Sequence, residues 1–336
     1  MHTIDKSSAG AAGVKLIDIN TDGRPDVVTA WKDGGLVRVY FNPSRVDSRS
    51  EWRYVTVGRV QSPVDAVFAD LNGDLAFDVI SAGEGGLNIH WAPKDPDRYF
   101  EESDWKTEPI PASLKRMQWT AVVPMLPKII AGGRGPGAEI GWMEVSNDAK
   151  WHPLRKAGWI VSIQTVDMDG DGDLDILFSD REGPRAGVYW LENPGGLESW
   201  KEHLVGSAGR EAMYFDYDGK KDVVVAVQPS EVQIHHRLSK DGSQWSSETI
   251  RFPAGLGTAN SVRVADIDQD GRADIIYGAV AWMSQADRTL HAISGLKDAR
   301  FGAIELIDLD GDGDLDILTT ETALGLGIIW FENPAR

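Results

Sequence analysis

Short apolar runs recur along the chain with a period of two, and many of them end at a cluster of aspartates and glycines. Val14 and Leu16 precede one cluster, Ala66 and Phe68 the next, then Ala212 and Tyr214, Val262 and Val264, and Ile304 and Leu306. Such alternation sends one set of side chains to one face of a strand and the intervening set to the other. A second run follows each cluster, as in Asp175-Ile176-Leu177-Phe178. A third carries aromatics near its end: Val39-Tyr40-Phe41, Val188-Tyr189-Trp190 and Ile328-Ile329-Trp330. A fourth follows a tryptophan in several places, as in Trp52-Arg53-Tyr54-Val55 and Trp200-Lys201-Glu202-His203-Leu204. Four short strands per unit are predicted.

The clusters open at Asp18, Asp70, Asp167, Asp216, Asp266 and Asp308, and the stretch between Asp70 and Asp167 has room for two units. The second of those, residues 118–151, keeps its apolar runs and has lost its cluster. Seven units of short strands, repeating every ~40–50 residues, predict an all-β fold: a seven-bladed β-propeller forming one domain over residues 1–336. A propeller must close its ring to hide its strand edges. The last unit stops after its third strand at Glu332-Asn333-Pro334. Met1-His2-Thr3-Ile4-Asp5 resembles the outer strand Glu202-His203-Leu204-Val205-Gly206, so the N-terminus is predicted to complete the last blade.

The clusters carry the chemistry. Their pattern is Asp-x-Asp/Asn-x-Asp-Gly-x-x-Asp. Oxygens at positions 1, 3, 5 and 9, with the backbone carbonyl at 7, can converge on one hard cation, and glycine at 6 allows the sharp turn. The sets are Asp18, Asn20, Asp22, Arg24 and Asp26; Asp167, Asp169, Asp171, Asp173 and Asp175; Asp266, Asp268, Asp270, Arg272 and Asp274; and Asp308, Asp310, Asp312, Asp314 and Asp316. Asp70, Asn72, Asp74 and Asp78 form a fifth, with Leu75 where glycine is expected. Residues 216–222 are too short to close a cage and are expected to be metal-free. An EF-hand shares the first half of the pattern, but it needs a glutamate at position 12 and flanking helices. Here position 12 is Thr29, Phe178, Tyr277 or Thr319, and the flanks read as strands. Four or five structural calcium ions are the expectation.

The formal charge of −18 argues against nucleic-acid binding. No apolar run is long enough to span a membrane. The absence of cysteine removes disulfides and thiolate sites. Residues 1–20 lack a leader-like apolar core, so an exported protein whose leader is absent from this chain is expected, with a cytoplasmic one as the alternative.

Counting back from each first aspartate, positions −5 and −3 should face the central channel: Gly13/Lys15, Asp65/Val67, Ser162/Gln164, Glu211/Met213, Ser261/Arg263 and Ala303/Glu305. Asp65, Glu211, Glu305 and neighbouring Asn260 would then be oxygen donors from four blades, a candidate catalytic centre that could hold one more calcium. The alternative is a wet channel in which Lys15 and Arg263 neutralise the carboxylates. On the face opposite the loops, Arg116, Arg134, Arg181, Arg185 and Arg210 cluster on an acidic chain, with Trp119 and Trp159 as an apolar wall. Guanidinium forks suit phosphate or carboxylate, so they are candidate substrate-binding residues; the alternative pairs them with Asp180, Glu182 and Glu211. The seven histidines show no metal-ligand spacing, and Gly132-Gly133-Arg134-Gly135-Pro136-Gly137 reads as a turn.

The aspartate clusters resemble the FG-GAP/VCBS calcium repeats of integrin-type propellers and of sugar-active propellers of the aldos-2-ulose dehydratase type, across nearly the whole chain. The channel carboxylates resemble those of calcium-dependent phosphotriesterases and lactonases of propeller fold. Three functions follow from the resemblances: a metal-dependent hydrolase of an anionic ester (phosphotriester, phosphoester or lactone), a sugar lyase or dehydratase, and a carbohydrate- or protein-binding module. The ligand expected is a small anionic molecule or a carbohydrate.

Overall fold

The computed structural model describes residues 1–146, 148–195, 199–217, 219–253, 256, 260–296 and 298–333. Asp218 of the shortened cluster and Pro334 lie outside the described residues. Seven four-stranded antiparallel sheets form the blades of a propeller. The inner strands are Ala11–Ile17, Pro63–Ala69, Gln118–Met125, Ile160–Val166, Ala212–Tyr217, Val262–Ala265 and Phe301–Ile307. In the third blade the residues Leu126-Pro127 replace the aspartate cluster, joining Met125 directly to Lys128. The sixth blade is the smallest, its outer strands reduced to Ala281–Met283 and Leu290–Ala292.

The ring closes as the sequence predicts. His2–Asp5 pairs antiparallel with Gly327–Phe331, His2 opposite Trp330 and Thr3 opposite Ile329. Asp5 then crosses to the first blade, where its carboxylate accepts from Tyr40 Oη at 2.6 Å and from Arg38 Nη1 at 2.7 Å. The two ends of the chain are thus held by β-pairing within one blade and by a buried polar cluster between two.

The core lies between blades rather than within them. Val28, Val39 and Phe41 of the first blade pack on Ala66, Phe68 and Val79 of the second, with Ile19 from the aspartate loop filling the outer end of the seam. Met168, Ile267 and Leu309 occupy the same loop position and are equally buried. Burying each of these side chains is worth about 2 kcal/mol. Four blades share a further device at the outer edge. A third-strand tryptophan directly faces an outer-strand histidine: Trp142 and His152, Trp190 and His203, Trp282 and His291, Trp330 and His2. Their ring centroids lie 3.9, 4.2, 4.1 and 4.4 Å apart. Three of the pairs are stacked and His2–Trp330 is tilted by 32°; cross-strand aromatic contacts of this kind stabilise the sheet margin.

Candidate functional site

Each aspartate loop is built by its own backbone. At position 1, the Asp18 carboxylate accepts from the N–H groups of Asp22 and Gly23 at 3.1 and 2.8 Å. Asp70 and Asp266 likewise accept from positions 5 and 6 of their loops, whereas Asp167 and Asp308 accept from the glycines at positions 4 and 6. Position 5 accepts from the N–H of position 7, at 2.8–3.1 Å in all five loops, which fixes Arg24, Asp173, Arg272 and Asp314 at the turn.

Position 9 is the keystone. Asp26, Asp78, Asp175, Asp274 and Asp316 are buried, and each takes one N–H from loop position 2 and another from the end of the blade's third strand. For Asp175 these come from Met168 and Asn193, both at 2.7 Å. Burial, reinforced by the neighbouring carboxylates, pushes Asp26, Asp175 and Asp316 up to about 7 and Asp78 up to about 6. A cation nearby would favour the charged form of carboxyls raised in this way.

The backbone conformation was read from the sequence at position 6, where glycine is expected, but missed at position 4. Position 6 has positive φ in every loop (Gly23 85°, Leu75 72°, Gly172 97°, Gly271 89°, Gly313 93°). So does position 4 (Thr21 58°, Gly73 73°, Gly170 84°, Gln269 60°, Gly311 78°). The doubled glycines of the loops at 167–175 and 308–316 were the available signal.

In three loops the carboxylates come close enough to hold a metal ion. Ligand oxygens of Asp167, Asp169 and Asp175 lie within 4.8 Å of one another, as do those of Asp266, Asp268 and Asp274, and of Asp308, Asp310 and Asp316. In the first two loops of the chain Asn20 and Asn72 stand at position 3, offering an amide oxygen instead. Basic side chains already reach some loop acids: Arg24 to Asp22 at 2.5 Å, Arg49 to Asp310 at 2.6 Å and Lys94 to Asp74 at 3.7 Å. The donors are hard oxygens throughout, which fits a hard divalent cation.

The four oxygen donors expected on the channel axis do not come together. Glu305 is there, but it is held by Arg263 Nη2 at 2.9 Å and Lys15 Nζ at 3.8 Å. Asp65 lies nearby and caps the third blade, accepting from Val122 N–H at 3.0 Å; burial raises its pKa against the pull of Lys15. Asn260 binds Gln228 and the Phe301 carbonyl at the rim.

Glu211 leaves the channel because the fifth blade's register differs from the sequence count. Asp216 is not the first loop residue; it lies inside Ala212–Tyr217 opposite Val224, the place that Lys15 holds opposite Val28. Asp216 and Tyr214 therefore line the channel in place of Glu211 and Met213. Asp216 lies 3.6 Å from Arg263 Nη1. The channel, a cavity of about 400 Å³, is thus an ion-pair network.

Above it, at the face opposite the loops, opens a mouth of about 300 Å³ with Gly13, Val64, Val161, Met213 and Phe301 among its lining residues. Here Arg134 and Arg181 flank Trp159, their guanidinium carbons 4.7 and 4.5 Å from its ring centroid. Arg300 and Lys32 reach the same mouth, and the sequence analysis did not single them out. Arg181 is paired with Glu211 at 3.0 Å, whereas Lys32, Arg134 and Arg300 make no ion pair among the described residues. Lys32, Arg181 and Thr322 each stand six residues beyond a position-9 aspartate. That spacing was a readable signal for the mouth.

The other candidates disperse. Arg116 turns back to the Ala112 carbonyl, Arg185 pairs with Glu202, and Arg210 pairs with Glu231 at 2.7 Å. Trp119 is a core residue, 1 % exposed, edge-on to Trp151 and hydrogen-bonded to the Ser113 carbonyl.

A family model described as an FG-GAP-like repeat matches residues 18–81 and 214–277. No curated protein matches the chain. Among solved structures, the WD40 β-propeller domain of Doa1 is similar over 99 % of this chain and 97 % of its own, with a TM-score of 0.61 and 11 % identity. BBS1N, solved in complex with ARL6DN and soaked with lead, is similar over 99 % and 98 %, with a TM-score of 0.57 and 12 % identity. At such identities the likeness concerns the fold.

Proposed function

We propose that this seven-bladed FG-GAP propeller binds calcium in its aspartate loops and a small anionic molecule at the mouth of its channel. The carrying observation is the pair of guanidiniums held against Trp159, with Lys32 and Arg300 beside them, on a chain whose net charge is −18. On such a chain anions are drawn to the places where cations gather, and here Lys32, Arg134 and Arg300 make no ion pair among the described residues while Arg181 is shared with Glu211. Guanidinium forks take carboxylate or phosphate in two-pronged fashion, and the apolar lining takes the body of an ester or sugar. Calcium would be held by the oxygens of positions 1, 3, 5, 7 and 9. It would supply the positive charge those carboxylates lack and stiffen the blades.

A binding role is the reading this geometry favours. Metal-assisted ester hydrolysis in the channel loses its ligand set, since Glu305 is occupied by Lys15 and Arg263 and Glu211 stands at the rim. Proton abstraction from the bound anion, as in a lyase, is a second reading, and one observation favours it. Asp65 lies under the mouth, 3.6 Å from where a β-carbon on Gly13 would stand, with its carboxyl pushed up by burial. The test is calorimetric titration of the calcium-loaded protein with phenyl phosphate and with neutral benzyl alcohol. Phenyl phosphate should bind, benzyl alcohol should not, and Arg134→Ala or Arg300→Ala should weaken binding about tenfold or more. Equal binding of both probes, or no loss in either variant, overturns the reading.

A further inference from the structure

The apolar residue at loop position 2 is a plug. Ile19 seals the outer end of the seam between the first two blades, packed among Val28, Val39, Phe68 and Val79. The fifth blade has no such residue, because only residues 218–221 separate Ala212–Tyr217 from the strand that begins at Asp222. Its seam with the sixth blade contains a cavity of about 470 Å³. The walls include Val224, Ile234, Val264 and Ile275. These are the register equivalents of Val28, Val39, Phe68 and Val79. Val224 faces Ile234 as Val28 faces Val39, and Val264 and Ile275 each lie one residue inward of the pair Ala265–Asp274 as Phe68 and Val79 do of Ala69–Asp78. The hole is where the missing plug would be.

Its rim is acidic. Asp222 and Glu248 face it, Asp222 held by His236 at 2.9 Å and Glu248 by Arg288 at 3.5 Å, and Asp216 closes the inner end. An apolar cavity of this size falls in the range that small ligands occupy, and the whole-chain field draws cations toward it.

We propose that this seam is a binding site for an organic ammonium ion with a compact alkyl or aryl body. The body fills the place of the absent plug and the ammonium group meets Asp222 and Glu248. The proposal is independent of the anion site at the mouth, which lies on the opposite face.

The experiment titrates the calcium-loaded protein with 2-phenylethylammonium and with phenylacetate, following the valine and isoleucine methyl signals. The ammonium probe should shift the methyl signals of Val224, Ile234 and Ile275, and phenylacetate should not. Val264→Phe places at this seam the side chain that the second blade carries at the same register, and it should weaken the ammonium about tenfold or more. Glu248→Gln removes one of the two carboxylates, along with its ion pair to Arg288, and should weaken it several-fold. Absence of ammonium binding, equal binding of phenylacetate, or full binding by both variants overturns the proposal.

Discussion

The imidazole of His235 lies so close to Gly206 that a β-carbon there would stand 2.3 Å from its Cε1. Gly206 ends an outer strand of the fourth blade and His235 is on the third strand of the fifth. The second blade repeats the arrangement, with His90 over Gly58 and a β-carbon distance of 2.1 Å. Each ring is pinned by two hydroxyls: Ser207 and Ser247 for His235, Ser81 and Thr107 for His90. The rings cannot retreat. Gly206→Ala and Gly58→Ala should each cost about 1–3 kcal/mol through overpacking, read as a lowered urea midpoint. An unchanged midpoint would show that the seam between blades yields more easily than the geometry implies.

These histidines also predict a pH dependence. Burial holds His90 down to about 3 and His235 down to about 4, whereas an unfolded histidine titrates near ~6.5. Below that value the unfolded chain binds protons that the folded chain refuses, so stability present at neutral pH is lost as the pH falls. Each histidine contributes a slope of up to about 1.4 kcal/mol per pH unit. The loop aspartates raised to about 6 or 7 act in the opposite sense when metal-free. The comparison is therefore made in saturating calcium. The loss of melting temperature between about pH 7 and about pH 5 should be smaller in His90→Gln than in the parent; equal losses would contradict the assignment.

Leu75 and Thr21 sit at loop positions 6 and 4 with φ of 72° and 58°. Leu75 is 88 % exposed and makes no packing that glycine would forfeit. The left-handed conformation costs a side chain ~1–2 kcal/mol, and glycine's extra freedom when unfolded returns part of that. Leu75→Gly should stabilise the protein by about 1 kcal/mol or somewhat less. A destabilised Leu75→Gly would mean that this loop is held by something other than its backbone.

Chelation should lower the melting temperature, and calcium should restore it, because the loop carboxylates repel one another without a cation. Asp169→Ala and Asp310→Ala should each remove one site. Asp175→Ala should cost more than Asp169→Ala, since Asp175 also holds the amides of Met168 and Asn193. Identical melting curves in excess chelator and in calcium would refute structural metal binding.

Asp5→Ala should destabilise by about 3–5 kcal/mol, because it strands the buried Arg38 and leaves Tyr40 Oη without its acceptor. Deletion of residues 1–8 should do more, exposing the edge of Gly327–Phe331 and promoting aggregation. Full solubility of the truncated protein would show that the edge is protected in another way.

The propeller was legible in the sequence because period-two patterning and turn chemistry are local. Val14 and Leu16 alternate with Gly13 and Lys15 whatever the rest of the chain does, and the Asp-Gly loops state their own geometry. The closing strand was legible too, since Thr3-Ile4-Asp5 resembles the strands it substitutes for. The site was not legible in the same way. Which side chains meet depends on register and ring position, and both are settled by packing between blades far apart in sequence. Deletion in the fifth blade's loop moved its channel positions from Glu211 to Asp216, and no count from a fixed aspartate could reveal that. Lys32, Arg134, Arg181 and Arg300 share a mouth only because four different blades converge on one axis. Whether Glu305 was a ligand or an ion-pair partner was decided by the distances to Lys15 and Arg263, which exist only once the ring has closed.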